Sequence, residues 1–135
     1  MRTLLSLALA CLFAVPAMAA DEHYTVAAAP LTLKVGGSGT LTLTIKPAPG
    51  LHFNQDYPAK FTVTANPNIK PAKDKFSSKT GDVKTAGHDG QFLVGLTGVK
   101  AGSTTVTVTG SFSVCSDEQC YMKQNQVLTA NVDVK

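Results

Sequence analysis

The stretch "TTVTVTGSFSVCSDEQCYMKQNQVLTANVDV" (residues 104–134) has the pattern of a long β-hairpin. Apolar side chains alternate with threonine and serine before the loop, and an alternating run returns after it, as is typical of strands with one buried face. Four residues, "SDEQ" (116–119), separate Cys115 from Cys120. A loop of this length places the two cysteines opposite each other on adjacent strands, within reach of a disulfide.

The alternation also predicts which way the cysteines point. Before the loop, the apolar face consists of Val106, Val108, Phe112 and Val114, so a regular strand directs Cys115 away from the core. After the loop, the apolar face consists of Leu128, Ala130, Val132 and Val134. Simple pairing of Cys115 with Cys120 would place Val108 opposite Val127, on the wrong face. The sequence therefore predicts a one-residue slip through a β-bulge near residues 123–126.

The rest of the chain continues in period two. Alternating runs occupy residues 31–35, 40–46, 60–64 and 91–96, with proline and glycine between them, and no helical periodicity competes. Six or seven short strands in about 100 residues are typical of an all-β, immunoglobulin-like antiparallel two-sheet sandwich. Residues 65–90 are expected to form the one long loop, which carries most of the lysines.

The N-terminus has the features of a secretory signal peptide. Arg2 precedes an apolar run from Leu4 to Val15, and "AMA" (17–19) is a small-x-small cleavage site. Cleavage after Ala19 divides the chain into a signal peptide (1–19) and a single domain (20–135), which we expect to be a monomer. The apolar run is too short to span a bilayer permanently, so an integral membrane protein is not predicted. Export to an oxidising compartment favours a Cys115–Cys120 disulfide.

The net charge and the absence of several sequence motifs argue against some classes of function. The formal net charge is +3, or +2 once Arg2 is removed, which is too small and dispersed to indicate a nucleic-acid partner. No phosphate-binding glycine loop or nucleophile motif is present, and no cofactor is expected. Asp117 and Glu118 lie inside the cysteine ring and disfavour a thiolate, which argues against a Cys–His hydrolase. Two roles for the cysteine pair stay open. One is a structural disulfide, although closing a ring of six residues adds little to stability, and the other is a redox centre.

Copper is a less favoured alternative. Cys115, Cys120 and Met122 are soft ligands suited to Cu(I) when the thiols are reduced. Cleavage after Ala20 would make His23 the third residue of the mature chain, an arrangement that suits Cu(II). The other histidines, His52 and His88, are scattered, so no zinc site is predicted.

"CSDEQCY", at the end of an all-β exported domain, resembles the periplasmic N-terminal domain of the thiol:disulfide interchange protein DsbD family. Cys115, Cys120 and Tyr121 match that family's cysteine pair and the aromatic residue after it. "PGLHFNQDYP" (49–58) resembles its stretch of "PG", aromatics and a short strand. "KDKF" (73–76) resembles the Asp-x-Phe segment of the loop that caps the pair.

The resemblance implies that the pair relays reducing equivalents. Electrons would come from a membrane or thioredoxin-like donor and pass to periplasmic oxidoreductases through mixed disulfides. Phe76 would cap the pair, with Asp74 and Tyr121 as its neighbours. The chain departs from the best-known members in its loop, which has four residues where they have five, and at Met122 and Lys123, which stand where they have prolines. We also expect no transmembrane segment or thioredoxin-like domain of the kind those members carry, so the electron donor would be another polypeptide. The competing interpretation is a non-enzymatic binding module with a structural hairpin disulfide.

Overall fold

A computed structural model describes residues 21–135, so the predicted signal peptide lies outside the described residues. Its secondary structure consists of eleven strands: β1 (Tyr24–Ala28), β2 (Leu31–Leu33), β3 (Ser38–Pro47), β4 (His52–Phe53), β5 (Lys60–Thr64), β6 (Ile69–Pro71), β7 (Lys75–Ser77), β8 (Val83–Ala86), β9 (Asp89–Gly98), β10 (Gly102–Cys115) and β11 (Cys120–Val134). Within residues 21–135, no helix is long and apolar enough to cross a membrane.

The strands form two sheets that pack face to face as an immunoglobulin-like sandwich. The first sheet has the order β1-β3-β9-β6, with β8 also paired to β9. The second has the order β2-β11-β10-β5-β7, with β4 also paired to β10. The predicted all-β sandwich is thereby confirmed. One pairing differs from the antiparallel expectation, because β2 runs parallel to β11.

The core lies between the sheets and is built by the alternating faces of the longest strands. Aromatic rings fill its middle: Phe61 of one sheet stacks on Phe92 of the other, with ring centroids 4.5 Å apart. Phe112 lies beside them and forms a T-shaped pair with Tyr24, with ring centroids 4.9 Å apart. Aromatic pairs in these geometries add to the free energy gained from apolar burial. The rings therefore hold β10 against the opposite sheet close to the end that carries Cys115.

The central hairpin confirms the predicted register slip. Gly110 pairs with Gln126, whereas Phe112 pairs with Lys123, so β11 carries one extra residue opposite Ser111. Asn125 lies in this bulge with a φ of 52°, a left-handed conformation that asparagine tolerates better than most residues. Its backbone N–H donates to the Ser111 hydroxyl at 3.4 Å.

The predicted long loop at residues 65–90 is wrong, because strands β6, β7 and β8 lie within it. These strands have three or four residues each, which is too short for period-two alternation to be recognised from sequence. Turn chemistry shapes the connection before β6: Asn66 Oδ1 accepts hydrogen bonds from the backbone N–H groups of Asn68 and Ile69. Tertiary pairing with β5 and β9 then completes the three strands.

Strand β4 is anchored by one aromatic side chain. Phe53 is buried, and its backbone N–H donates to the His88 carbonyl at 2.8 Å. Its ring lies against the backbone of Gly90, where an added Cβ would come within 2.3 Å of Phe53 Cδ2. Glycine at position 90 therefore allows the ring to seat, and the ring holds β4 beside the end of β10.

We predict that Gly90→Ala lowers the free energy of unfolding by about 2 kcal/mol, because the new methyl group overlaps the Phe53 ring. Gly95→Ala on the same strand is the matched control, since its Cβ would meet the methyl group of Ala72 at an ordinary 3.4 Å. Urea denaturation of both variants measures the effect. Equal stability of the two variants would show that the packing of the Phe53 ring does not require glycine at position 90.

Candidate functional site

Cys115 and Cys120 form a disulfide across the mouth of the β10–β11 hairpin, with their Cα atoms 4.0 Å apart. The loop between the cysteines is closed by its first and last residues, because Ser116 N–H donates to the Gln119 carbonyl at 2.8 Å. The Ser116 hydroxyl also accepts hydrogen bonds from the backbone N–H groups of Glu118 and Gln119. The four-residue loop predicted from the sequence is thus confirmed, and it holds the cysteines opposite each other.

The two cysteines differ sharply in exposure. Cys120 is exposed, whereas Cys115 is only 4% exposed. Cys115 is nevertheless not a member of the core cluster. Its Sγ lies 3.6 Å from the Ser113 hydroxyl, on the face of the sheet that points away from the core, as the alternation predicted. A thiol approaching from solvent therefore reaches Cys120 before Cys115.

A histidine that the sequence did not single out lies on the same face. On one side of β10, Cys115 pairs with Cys120; on the other side, it pairs with His52 of β4. Directly paired residues of adjacent strands project to the same face, with Cβ atoms about 5 Å apart. His52 is exposed. The disulfide and the imidazole therefore form one row across three strands, although 63 positions separate His52 from Cys115 along the chain.

Tyr121 lies on the opposite face, toward the N-terminal residues. Its ring stacks on His23 with centroids 3.9 Å apart, and its hydroxyl donates to Gln119 Oε1 at 3.3 Å. The predicted neighbour of the pair is therefore adjacent to Cys120 in the chain and touches the hairpin loop. It is half-buried, and its stacking partner comes from the segment that leads into β1.

Lys123 ties the N-terminal segment to the hairpin. Its ammonium group lies 3.0 Å from Asp21 Oδ2 and 2.8 Å from His23 Nδ1. Burial acts to raise the pKa of Asp21, but the hydrogen bond from the His23 backbone N–H and the Lys123 ammonium outweigh it and lower that pKa. Burial raises the pKa of Tyr24, which donates its hydroxyl hydrogen to Gln126 Oε1 at 2.6 Å. These contacts hold the N-terminal segment beside Tyr121.

The structure does not bring Phe76 and Asp74 to the disulfide. Phe76 is buried in the core, 5.7 Å from the Phe92 ring, and lies two strands from β10 in a row with Phe61 and Gly110. That row is about 17 Å from Cys115 along the strand, and it projects to the other face of the sheet. Asp74 is exposed in the turn before β7, where its carbonyl accepts from Val63 N–H. Their roles as cap and neighbour stay predictions that no contact described in residues 21–135 supports.

The copper alternative gains no support from the arrangement. Met122 is 67% exposed and pairs with Ser113, and both cysteines are held in the disulfide. His23 is stacked on Tyr121 and lies against Lys123, so its ring is already engaged. Residues 21–135 contain no group of three or more His, Cys, Asp or Glu side chains arranged to hold a metal ion.

Comparison with protein families gives one match that covers most of the chain. A family model described as "Thiol:disulfide interchange protein DsbD, N-terminal" matches residues 17–131. The matched range includes both cysteines, His52 and the residues 21–23 that lead into β1. No curated protein matches the chain.

Solved structures that resemble the chain do so distantly. Murine CRIg is 11% identical, with a TM-score of 0.40, over 84% of this chain and 98% of that one. A cohesin–dockerin complex from Clostridium thermocellum is 13% identical, with a TM-score of 0.38, over 90% of this chain and 100% of that one. The PapD-like domain 7 of human CEP192 is 9% identical, with a TM-score of 0.30, over 95% and 96%.

We predict that Asp21→Asn lowers the free energy of unfolding by about 0.5 kcal/mol near neutral pH, because it removes the carboxylate partner of Lys123. The folded-state pKa of Asp21 is lower than its ordinary value of 3.8. The contribution is therefore fully present above that value and disappears as the pH falls through the folded-state pKa. Urea denaturation of wild type and variant at a series of pH values measures this.

Glu22→Gln is the matched control, because Glu22 is 85% exposed and lies 3.7 Å from His23. We expect it to leave stability nearly unchanged at every pH. A loss of stability in Asp21→Asn that persists unchanged into acid would show that the carboxylate charge is not its cause.

Proposed function

Since the chain belongs to the family of the N-terminal domain of the thiol:disulfide interchange protein DsbD, we propose that it carries out thiol–disulfide exchange through Cys115 and Cys120. Family membership and the disulfide fit that general chemistry. The observation that supports its use here is the asymmetry of the pair, with one exposed sulfur-bearing residue and one buried one. A purely structural staple does not require this asymmetry, whereas an exchange centre uses it to determine which sulfur a partner attacks.

The exchange proceeds in two steps. A partner thiolate attacks Cys120 Sγ, a partner–Cys120 disulfide forms, and the electron pair of the broken bond passes to Cys115 Sγ. The partner's second thiolate then attacks the sulfur of the partner's first cysteine, which is bound to Cys120 in the mixed disulfide. This attack releases Cys120. The partner leaves oxidised, and the pair has gained two electrons, together with protons taken up from solvent. The reverse sequence delivers those electrons to an oxidised acceptor.

The fold supports this chemistry by holding the reactive hairpin rigid. The Ser116–Gln119 turn closes the loop, and the stacking of Tyr121 on His23 fixes the residue after Cys120. The partner then meets a sulfur whose position is already defined, which reduces the entropy lost on forming the mixed disulfide. Asp117 and Glu118 lie exposed in the loop, where they can act on a partner's charge as well as on the thiols.

The partners that suit this site are proteins with a reactive cysteine pair of their own. We propose periplasmic thioredoxin-like proteins as acceptors, and a thioredoxin-like or membrane-bound protein as the electron donor. The N-terminal DsbD domain is periplasmic in its family, and the predicted signal peptide at residues 1–19 would deliver the chain there. We propose that the chain acts as a monomer whose hairpin end is free to meet these partners.

The mixed disulfide is the most direct test. We predict that Cys115→Ser traps a covalent complex with a thioredoxin-like protein that retains only its first active-site cysteine, activated as its thionitrobenzoate disulfide. Cys120→Ser is the matched control, because its remaining thiol is buried, and we expect it to react at least about tenfold more slowly. Release of thionitrobenzoate, followed by mass spectrometry of the adduct, measures both. Faster trapping by Cys120→Ser would contradict the assigned order of attack.

The reduction potential separates exchange from a structural role. We expect a value of roughly −120 to −270 mV, the range of known oxidoreductases, after equilibration with glutathione or dithiothreitol and mass spectrometry of the trapped thiols. A value below about −300 mV would identify a structural disulfide. In that case the non-enzymatic binding module would replace exchange as the proposed function.

A further inference from the structure

The exchange proposed above leaves a negative charge in an unfavourable place. When Cys120 is attacked, Cys115 is the leaving group, and its sulfur takes the electron pair although the residue is only 4% exposed. A thiolate removed from water is destabilised unless hydrogen bonds or positive charge replace its hydration. The rate at which the disulfide opens therefore depends on which groups face Cys115.

Few polar groups face this sulfur. The Ser113 hydroxyl lies 3.6 Å from Cys115 Sγ on the same strand. Across the sheet, the paired residues on the same face are Cys120 on β11 and His52 on β4. The acidic residues Asp117 and Glu118 lie exposed in the hairpin loop and oppose a thiolate, although solvent screens them.

We infer that His52 is a catalytic residue of the exchange reaction, donating a hydrogen bond from its ring to Cys115 Sγ as the disulfide opens. The biological purpose of this His52 role rests on the proposed function. The role itself does not, because any attacking thiol opens the disulfide by the same reaction. An imidazole carries at least one N–H donor in either protonation state, and a protonated ring adds a positive charge. Hydrogen bonding to the thiolate makes Cys115 a better leaving group, and lower-pKa thiols leave faster.

The fold positions His52 for this role although it lies in a strand of only two residues. Asn54 N–H donates to the Ser113 carbonyl at 2.9 Å, and Phe53 N–H donates to the His88 carbonyl at 2.8 Å. The Phe53 side chain is buried against Gly90. These three anchors fix the register that pairs His52 with Cys115, while the imidazole stays exposed.

The main test compares three variants with both cysteines intact. We expect His52→Leu to slow reduction of the disulfide by dithiothreitol by about threefold to tenfold, because the departing thiolate loses the imidazole donor and keeps only the Ser113 hydroxyl. His52→Gln keeps a side-chain N–H donor and is expected to fall between wild type and His52→Leu. His88→Leu, which changes another exposed histidine in the neighbouring turn but keeps the backbone carbonyl that anchors Phe53, is expected to match wild type. Urea denaturation of the oxidised proteins separates these rates from changes in stability.

A second measurement follows the thiol itself. In a Cys120→Ser background, the thiolate absorbance near 240 nm reports the pKa of Cys115, and we expect His52→Leu to raise that pKa while His88→Leu leaves it unchanged. The proposal is overturned if His52→Leu matches His88→Leu in the reduction rate, or if His52→Gln is as slow as His52→Leu. Neither measurement uses a protein partner. Failure to trap a thioredoxin-like protein would therefore refute the proposed relay without affecting the result for His52.

Discussion

The pairing of β10 with β11 is the interaction on which the rest of the structure depends. It is the longest pairing in the sandwich, and it sets the register for β2, β5 and β4 on either side. The bulge at Asn125 lets this hairpin satisfy two demands at once. On one side of the bulge, Val108 meets Leu128 in the core; on the other, Cys115 meets Cys120. Without the extra residue, one of those two matches would be lost.

The core extends past the bulge toward the cysteines. Phe112 and Val114, on the cysteine side of the bulge, are fully buried, and Phe112 stacks with Phe53. The hairpin end is held in addition by smaller contacts: the Tyr121–His23 stack, the Lys123–Asp21 pair and the short strand β4. The end that carries the disulfide is thus supported by the core on one face of β10 and by these peripheral contacts around it. Such an arrangement suits a disulfide that is approached by another protein and stays in place while it opens.

The chemistry of the pair follows from which face of β10 carries it. A core-facing disulfide would be sealed by apolar side chains, whereas the outer face carries Ser113, His52 and exposed Cys120. Cys115 is covered all the same, because three strands meet at this point. Burial of Cys115 together with exposure of Cys120 makes the two sides of the disulfide unequal, and the proposed exchange takes its direction from this. That direction arises from strand packing and not from the loop sequence.

The sequence alone determined the sandwich, the hairpin, its four-residue loop and the slip in register, because period-two alternation and turn residues are local properties of the chain. Local pattern did not show the short strands at residues 69–86, whose hydrogen bonds are completed by distant partners. It did not reveal His52 either, since a histidine in a two-residue strand has no periodicity to mark it. Phe76 shows the same limit: the local sequence does not reveal that strand pairing buries its side chain beside Phe61. Only the tertiary structure decides such neighbours, because they depend on which distant strands pair.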